Sequence, residues 1–85
     1  MIEIHARATG RVQGVGFRAT LYSYASKLGL FGTVQNLSDG SVEIYLFGER
    51  ETIKSLFMAL QKNFDFELFQ EEIHPVHAYT RFEII

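Results

Sequence analysis

The chain contains no cysteine, no tryptophan and a single proline among its 85 residues. Without thiols it can carry no disulfide framework, thiolate metal site, iron–sulfur cluster or cysteine nucleophile, so its stability has to come from packing. That suits a reducing compartment, and a cytoplasmic location is expected. No apolar run approaches the roughly 18 residues of a membrane span. The opening Met1-Ile2-Glu3-Ile4-His5 lacks a basic stretch followed by an apolar one, so neither membrane insertion nor secretion is expected. There is no Lys/Arg cluster and the formal net charge is −2. This argues against a nucleic-acid partner, whose phosphates have to be neutralised by many cations. Internal repeats, low-complexity segments and Pro/Gly/Ser-rich linkers are also missing, leaving residues 1–85 as one domain.

What is present suffices for one core: 47% of residues are hydrophobic and 14% aromatic, the latter eight Phe and four Tyr. Ile2, Ile4, Ala6 and Ala8 alternate with Glu3, His5, Arg7 and Thr9, the period of a half-buried strand. A glycine-rich loop follows, Gly10 to Arg18. From Arg18 to Leu28 the set Leu21, Tyr24, Ala25, Leu28 has helical spacing, with Gly29 placed to close the helix. Phe31 to Leu37 and Ser41 to Phe47 read as a hairpin through Ser38-Asp39-Gly40. Residues 50 to 63 place Ile53, Leu56, Phe57 and Leu60 on one face of a second helix. Phe64, Phe66 and Leu68, and later Arg81 to Ile85, alternate again, so one or two strands close the chain. This βαββαβ order predicts an α+β, ferredoxin-like α/β sandwich, with two helices on one face of a four- or five-stranded antiparallel sheet. Such a fold hosts many functions and names none.

Charge is unevenly spread. Residues 1–40 carry four Lys/Arg against two carboxylates, and residues 41–85 carry four against eight, so the N-terminal half is the one suited to an anion. There, a strand feeds Gln13-Gly14-Val15-Gly16-Phe17-Arg18 into a helix. Backbone N–H groups at the positive end of a helix dipole can converge on phosphate oxygens, and Arg18 is in reach to add a bidentate contact. The same residues also suit a plain turn followed by a solvated arginine. The Gly-Lys-Ser/Thr ending of a nucleotide-binding P-loop is missing, and 85 residues are too few for a dinucleotide fold, so nucleotide binding is not expected.

Gly10-Arg11-Val12-Gln13-Gly14-Val15-Gly16-Phe17-Arg18 resembles the first acylphosphatase motif. Gly32-Thr33-Val34-Gln35-Asn36-Leu37-Ser38-Asp39-Gly40-Ser41-Val42-Glu43 is similar to the second. The resemblance implies that the loop from Gln13 through Gly14, Val15 and Gly16 to Phe17 holds a phosphoryl group by its backbone amides. It further implies that Arg18 is the phosphate-binding catalytic residue and that Asn36 positions the attacking water. The implied activity is hydrolysis of small acyl phosphates to carboxylate and inorganic phosphate, with no metal, no cofactor and no phosphoenzyme; apart from the resemblance, a monomer or weak dimer is expected. A carboxylate leaves readily, so positioning and charge stabilisation can suffice. Two other expectations stand beside it. One is a non-catalytic module that binds a small anion or regulates a partner. The other is the acylphosphatase-like domain that begins the carbamoyltransferases of hydrogenase maturation; because the closing strand ends at Ile85, a free-standing enzyme is expected instead.

Departures from the family pattern carry their own expectations. Thr33 stands where an aromatic is frequent and Gln35 where arginine is frequent, which predicts weaker substrate affinity. The stretch from Asn63 to Val76 lacks the usual Gly-Pro-rich segment. His5, His74 and His77 are read as surface histidines rather than ligands, since Pro75 interrupts any helix that would align the last two. Asp65, Glu67, Glu71 and Glu72 are read as one solvated strand face. Tyr45, Phe47 and Phe69 are candidates for an exposed sheet face that would favour a dimer or edge pairing.

Overall fold

The computed structural model describes residues 1–75 and 77–85. The elements are β1 (Ile2–Gly10), α1 (Phe17–Lys27), β2 (Phe31–Asn36), β3 (Val42–Gly48), α2 (Arg50–Asn63), β4 (Phe66–Ile73) and β5 (Phe82–Ile84). They form a five-stranded sheet in the order β4-β1-β3-β2-β5. The alternation of β1 and β3 is used as the sequence predicts. Ile4, Ala6 and Ala8 on one strand and Val42, Ile44 and Leu46 on the other turn the same way and are buried. Phe17, Leu21 and Ala25 of α1 and Ile53, Leu56, Phe57 and Leu60 of α2 close over them, so both helices cover one face. Phe64 and Phe66 each meet the Phe17 ring edge-on at 5.2 Å between centroids, sealing the core beneath the start of α1.

The sheet is antiparallel between β1, β3, β2 and β4, but β5 lies parallel to β2, so the sheet is mixed. The reason lies in where β4 stops. Ile73 pairs with Glu3 at the start of β1, the end of the sheet at which β2 also begins. A chain that then crosses to the far edge arrives beside Gly32, and Phe82 pairs there. The crossing uses the face without helices. His77 Nδ1 lies 2.6 Å from the carboxylate of Glu3, and the Tyr79 hydroxyl donates to the same oxygen at 3.0 Å. Glu3 is fully buried as a result, although its strand pattern assigns it to the polar side.

This face corrects two sequence expectations. The acidic residues of β4 do not share one solvated surface. Glu71 sits opposite His5 on the helix-free side, whereas Glu72 sits opposite Ile4 on the helix side and pairs with Arg50 of α2 at 2.8 Å. Of the three aromatic residues, Phe69 alone is strongly exposed, with the Arg7 guanidinium over its ring. Tyr45 is half-buried, stacked on His5 and met by His77.

Candidate active site

The glycine loop leaves β1 at Gly10 and enters α1 at Gly16. Gly14 (φ 74°) and Gly16 (φ 83°) both take the left-handed backbone conformation that other residues resist. Among the described residues, and apart from its neighbours in the chain, nothing lies within 4 Å of where a Cβ would stand on either, so the loop surface is open to an approaching ligand. Gly16 is the N-cap of α1, has no side chain to cap with, and no acidic residue occupies the first turn. The leading N–H groups of the helix are thus free of any side-chain acceptor at its positive end. Arg18 is half-buried beside them. Arg7, Arg50 and Arg81 each have a carboxylate within 4.0 Å, whereas among the described residues the Arg18 guanidinium has no ion-pair or hydrogen-bond partner.

Gly14, Gly16, Phe17, Arg18 and Ala19 line a cleft of ≈ 200 Å³ whose far wall is Ile84 of β5. A larger groove of ≈ 480 Å³ lies between α2 and β4, but its lining comes from Ile2, Ile53, Met58 and their neighbours and brings no loop amides together. The loop glycines and Arg18 meet in the smaller one, whose lining does not include Asn36. Ile84 has no local signal in the sequence. It reaches the cleft because β5 pairs beside Val34 of β2 after a crossover of the whole sheet.

The second motif meets the first at the end of the hairpin. Asn36 closes β2 opposite Val42, and its Oδ1 is buried with no hydrogen-bond partner among the described residues. The turn behind it is fixed from within. Leu37 N–H donates to Ser41 O at 2.8 Å, and the Asp39 carboxylate accepts from both the N–H and the hydroxyl of Ser41. Those bonds hold the Asp39 carboxyl below its ordinary range. Asp39-Gly40 therefore serves the hairpin, as its turn chemistry predicts.

Of the loop residues, Gln13 turns its side chain away from the cleft and toward this turn, donating to Leu37 O and Ser41 O, each at 2.9 Å. Val12 is buried as the loop's anchor in the core, and Val15 is exposed at the tip. Thr33 and Gln35 pair with Tyr45 and Glu43, which places both on the helix-free face, opposite in orientation to Asn36. His5 lies between Glu43 (3.0 Å) and Glu71 (3.6 Å) on that face, and His77 against Glu3, while His74 belongs to the crossover after β4.

An open sheet with two helices on one face, and an uncapped helix start beside an arginine without a partner among the described residues, define a small α/β sandwich. The acylphosphatase family model matches residues 4–84, and the chain belongs to the acylphosphatase family. An acylphosphatase of Caldanaerobacter subterraneus subsp. tengcongensis is 51% identical over 53 residues, 62% of this chain and 59% of that relative. The match thus spans under two thirds of that relative's length. The crystal structure of acylphosphatase from Bacillus subtilis superposes with a TM-score of 0.92 at 32% identity, covering 100% of this chain and 99% of that one. The crystal structure of T. kodakarensis HypF matches with a TM-score of 0.86 at 31% identity, over 100% of this chain but 12% of that one.

Proposed function

We propose that this chain is a metal-independent acylphosphatase, a hydrolase that splits the carboxyl–phosphate bond of small acyl phosphates. The observation that carries the reading is the Arg18 guanidinium, without a partner among the described residues, standing beside an uncapped helix start and two open glycines, in a chain of this family. The amides of the Gln13–Phe17 loop and Arg18 take the phosphoryl oxygens, where charge develops as the acyl oxygen departs. The buried Oδ1 of Asn36 accepts a hydrogen bond from the attacking water, which orients it without deprotonating it. Water adds to phosphorus, the bond from phosphorus to the acyl oxygen breaks, and the water's proton passes to the substrate's own phosphate. The products are a carboxylate and inorganic phosphate.

The protein is read as a single cytoplasmic domain acting alone or as a weak dimer, with no nucleic-acid or membrane partner. Among the described residues no helix is long and apolar enough to cross a membrane. The test is hydrolysis of an aryl acyl phosphate in excess chelator, with wild type beside Arg18→Ala and Asn36→Ala. Turnover that falls on the order of 10²-fold or more in Arg18→Ala supports the assignment. No wild-type turnover, with inorganic phosphate still bound, would make this corner a non-catalytic anion site.

A further inference from the structure

The two halves of the candidate site come from separate segments of the chain, and one side chain joins them. Gln13 lies in the loop that would hold phosphate, yet both N–H bonds of its amide leave the cleft and run to the carbonyls of Leu37 and Ser41. Those carbonyls flank the last rung of the hairpin, Asn36 opposite Val42. Among the described residues Asn36 has no anchor at its Oδ1, so its position is set by the backbone on which it stands. That backbone is held at Leu37 by Ser41 and, from outside the hairpin, by Gln13.

We propose that Gln13 is a positioning residue for the hydrolysis, a clamp that fixes Asn36, and with it the attacking water, at a set distance from the phosphate loop. The inference rests on the roles given above to Arg18 and Asn36. The residue type fits the task. Two carbonyl acceptors call for two donors on one atom, which an amide nitrogen supplies and a carboxylate does not. Asparagine is one methylene too short to span the same gap from the same backbone. Ser41 O already accepts from Leu37 N–H, so the Gln13 bond adds to a carbonyl that closes the turn, and movement of the loop and of the turn become one movement.

The test uses Gln13→Met, which keeps length and packing but removes both donors, and Gln13→Glu, which sets an acceptor against two acceptors. Each is made in wild type and in Asn36→Ala. Hydrolysis of an aryl acyl phosphate gives kcat, competitive inhibition by inorganic phosphate reports the loop, and urea unfolding reports the fold. A shift of the reacting groups on the order of 1 Å is expected to lower kcat by about tenfold or more. The inhibition constant for phosphate should change by less than about twofold, and the Asn36→Ala background should lose little further when Gln13 is replaced. Multiplicative losses in the two backgrounds, phosphate binding that weakens in step with kcat, or unchanged kcat in Gln13→Met would each overturn the clamp. If instead Asn36→Ala alone kept full turnover, the assignment of Asn36 would fail and the clamp with it, an outcome distinct from the other three.

Discussion

Removing the charge of Glu3 while keeping its shape tests how the crossover is held. The Glu3 side chain is fully buried, and one of its oxygens accepts from both His77 Nδ1 and the Tyr79 hydroxyl. Glu3→Gln can leave an amide oxygen in that place, so both bonds persist but lose their charged acceptor. The difference between a charged and a neutral hydrogen bond is about 1 kcal/mol each. His77 is 44% exposed, so its share is discounted for solvent screening. The sum is a loss of roughly 1–2 kcal/mol, or about 4–16 °C in Tm for a domain of this size. Glu3→Ala, which removes the acceptor altogether, should cost about 3 kcal/mol or more. Burial first, and the Glu3 bond and charge next, push the Tyr79 phenol well above its ordinary value. A raised folded-state value means its contribution is whole below about pH 10 and is lost as pH climbs through the folded value. Glu3→Gln takes away the part of that contribution owed to the Glu3 bond and charge, so the stability gap between wild type and Glu3→Gln should narrow as pH rises through the folded value of the phenol. Urea melts followed by circular dichroism at pH 7 and in an alkaline series measure both effects. Wild-type stability in Glu3→Gln at pH 7, or a gap that stays constant through the alkaline series, would refute the reasoning.

Gly16→Ala forces a side chain into a left-handed conformation in open space, so it should destabilise the fold by about 1–2 kcal/mol through backbone strain alone, measurable by urea unfolding. Asp39 has its carboxyl held low, chiefly by the Ser41 hydroxyl and then the Ser41 N–H. Its stabilisation is therefore present above its unfolded value near 3.8 and vanishes as pH falls through the lower folded value. The stability gap between wild type and Asp39→Asn should close on that descent, and a constant gap would count against it. Gln35→Arg, a change toward the family's common residue, lands on the helix-free face opposite Glu43. It should shift phosphate inhibition by less than about twofold, since a solvated pair there is worth little and lies away from the cleft. Finally, if the substrate phosphate takes the water's proton, the single-turnover rate should follow the substrate's ionisation when substrates of different phosphate pKa are compared; a profile fixed by the protein would exclude it.

Elements whose cause is local were legible in the sequence. The alternation of Ile2 to Ala8 and of Val42 to Leu46, the helical spacing around Leu21 and Leu56, and the hairpin at Asp39-Gly40 each write their structure within a few residues. The glycine loop was legible for the same reason, since positive φ at Gly14 and Gly16 is a property of the residue itself. What the sequence did not disclose depends on where a distant segment passes. Glu3 reads as a surface residue of β1 until the crossover brings His77 and Tyr79 over it. The parallel pairing of β5 and the presence of Ile84 in the cleft follow from that same route. Gln13 reads as one more loop amide, because its partners stand 24 and 28 residues away. Thr33 and Gln35 read as gaps in the site, whereas strand parity sends them to the other face.

The order of the strands also bears on how the protein is made. β1 leaves the ribosome before the other strands of its sheet, yet both of its neighbours come late: its pairing runs to Gly48 on one side and to Ile73 on the other. At roughly 5–20 residues per second, Ile2, Ile4 and the phosphate-loop glycines wait several seconds for the sheet that will hold them. The last wall of the cleft, Ile84, is synthesised after everything else in the site. A nascent chain therefore carries the first motif long before the cleft beside it is walled. The cleft is thus complete only when β1, the glycine loop and β5 have met.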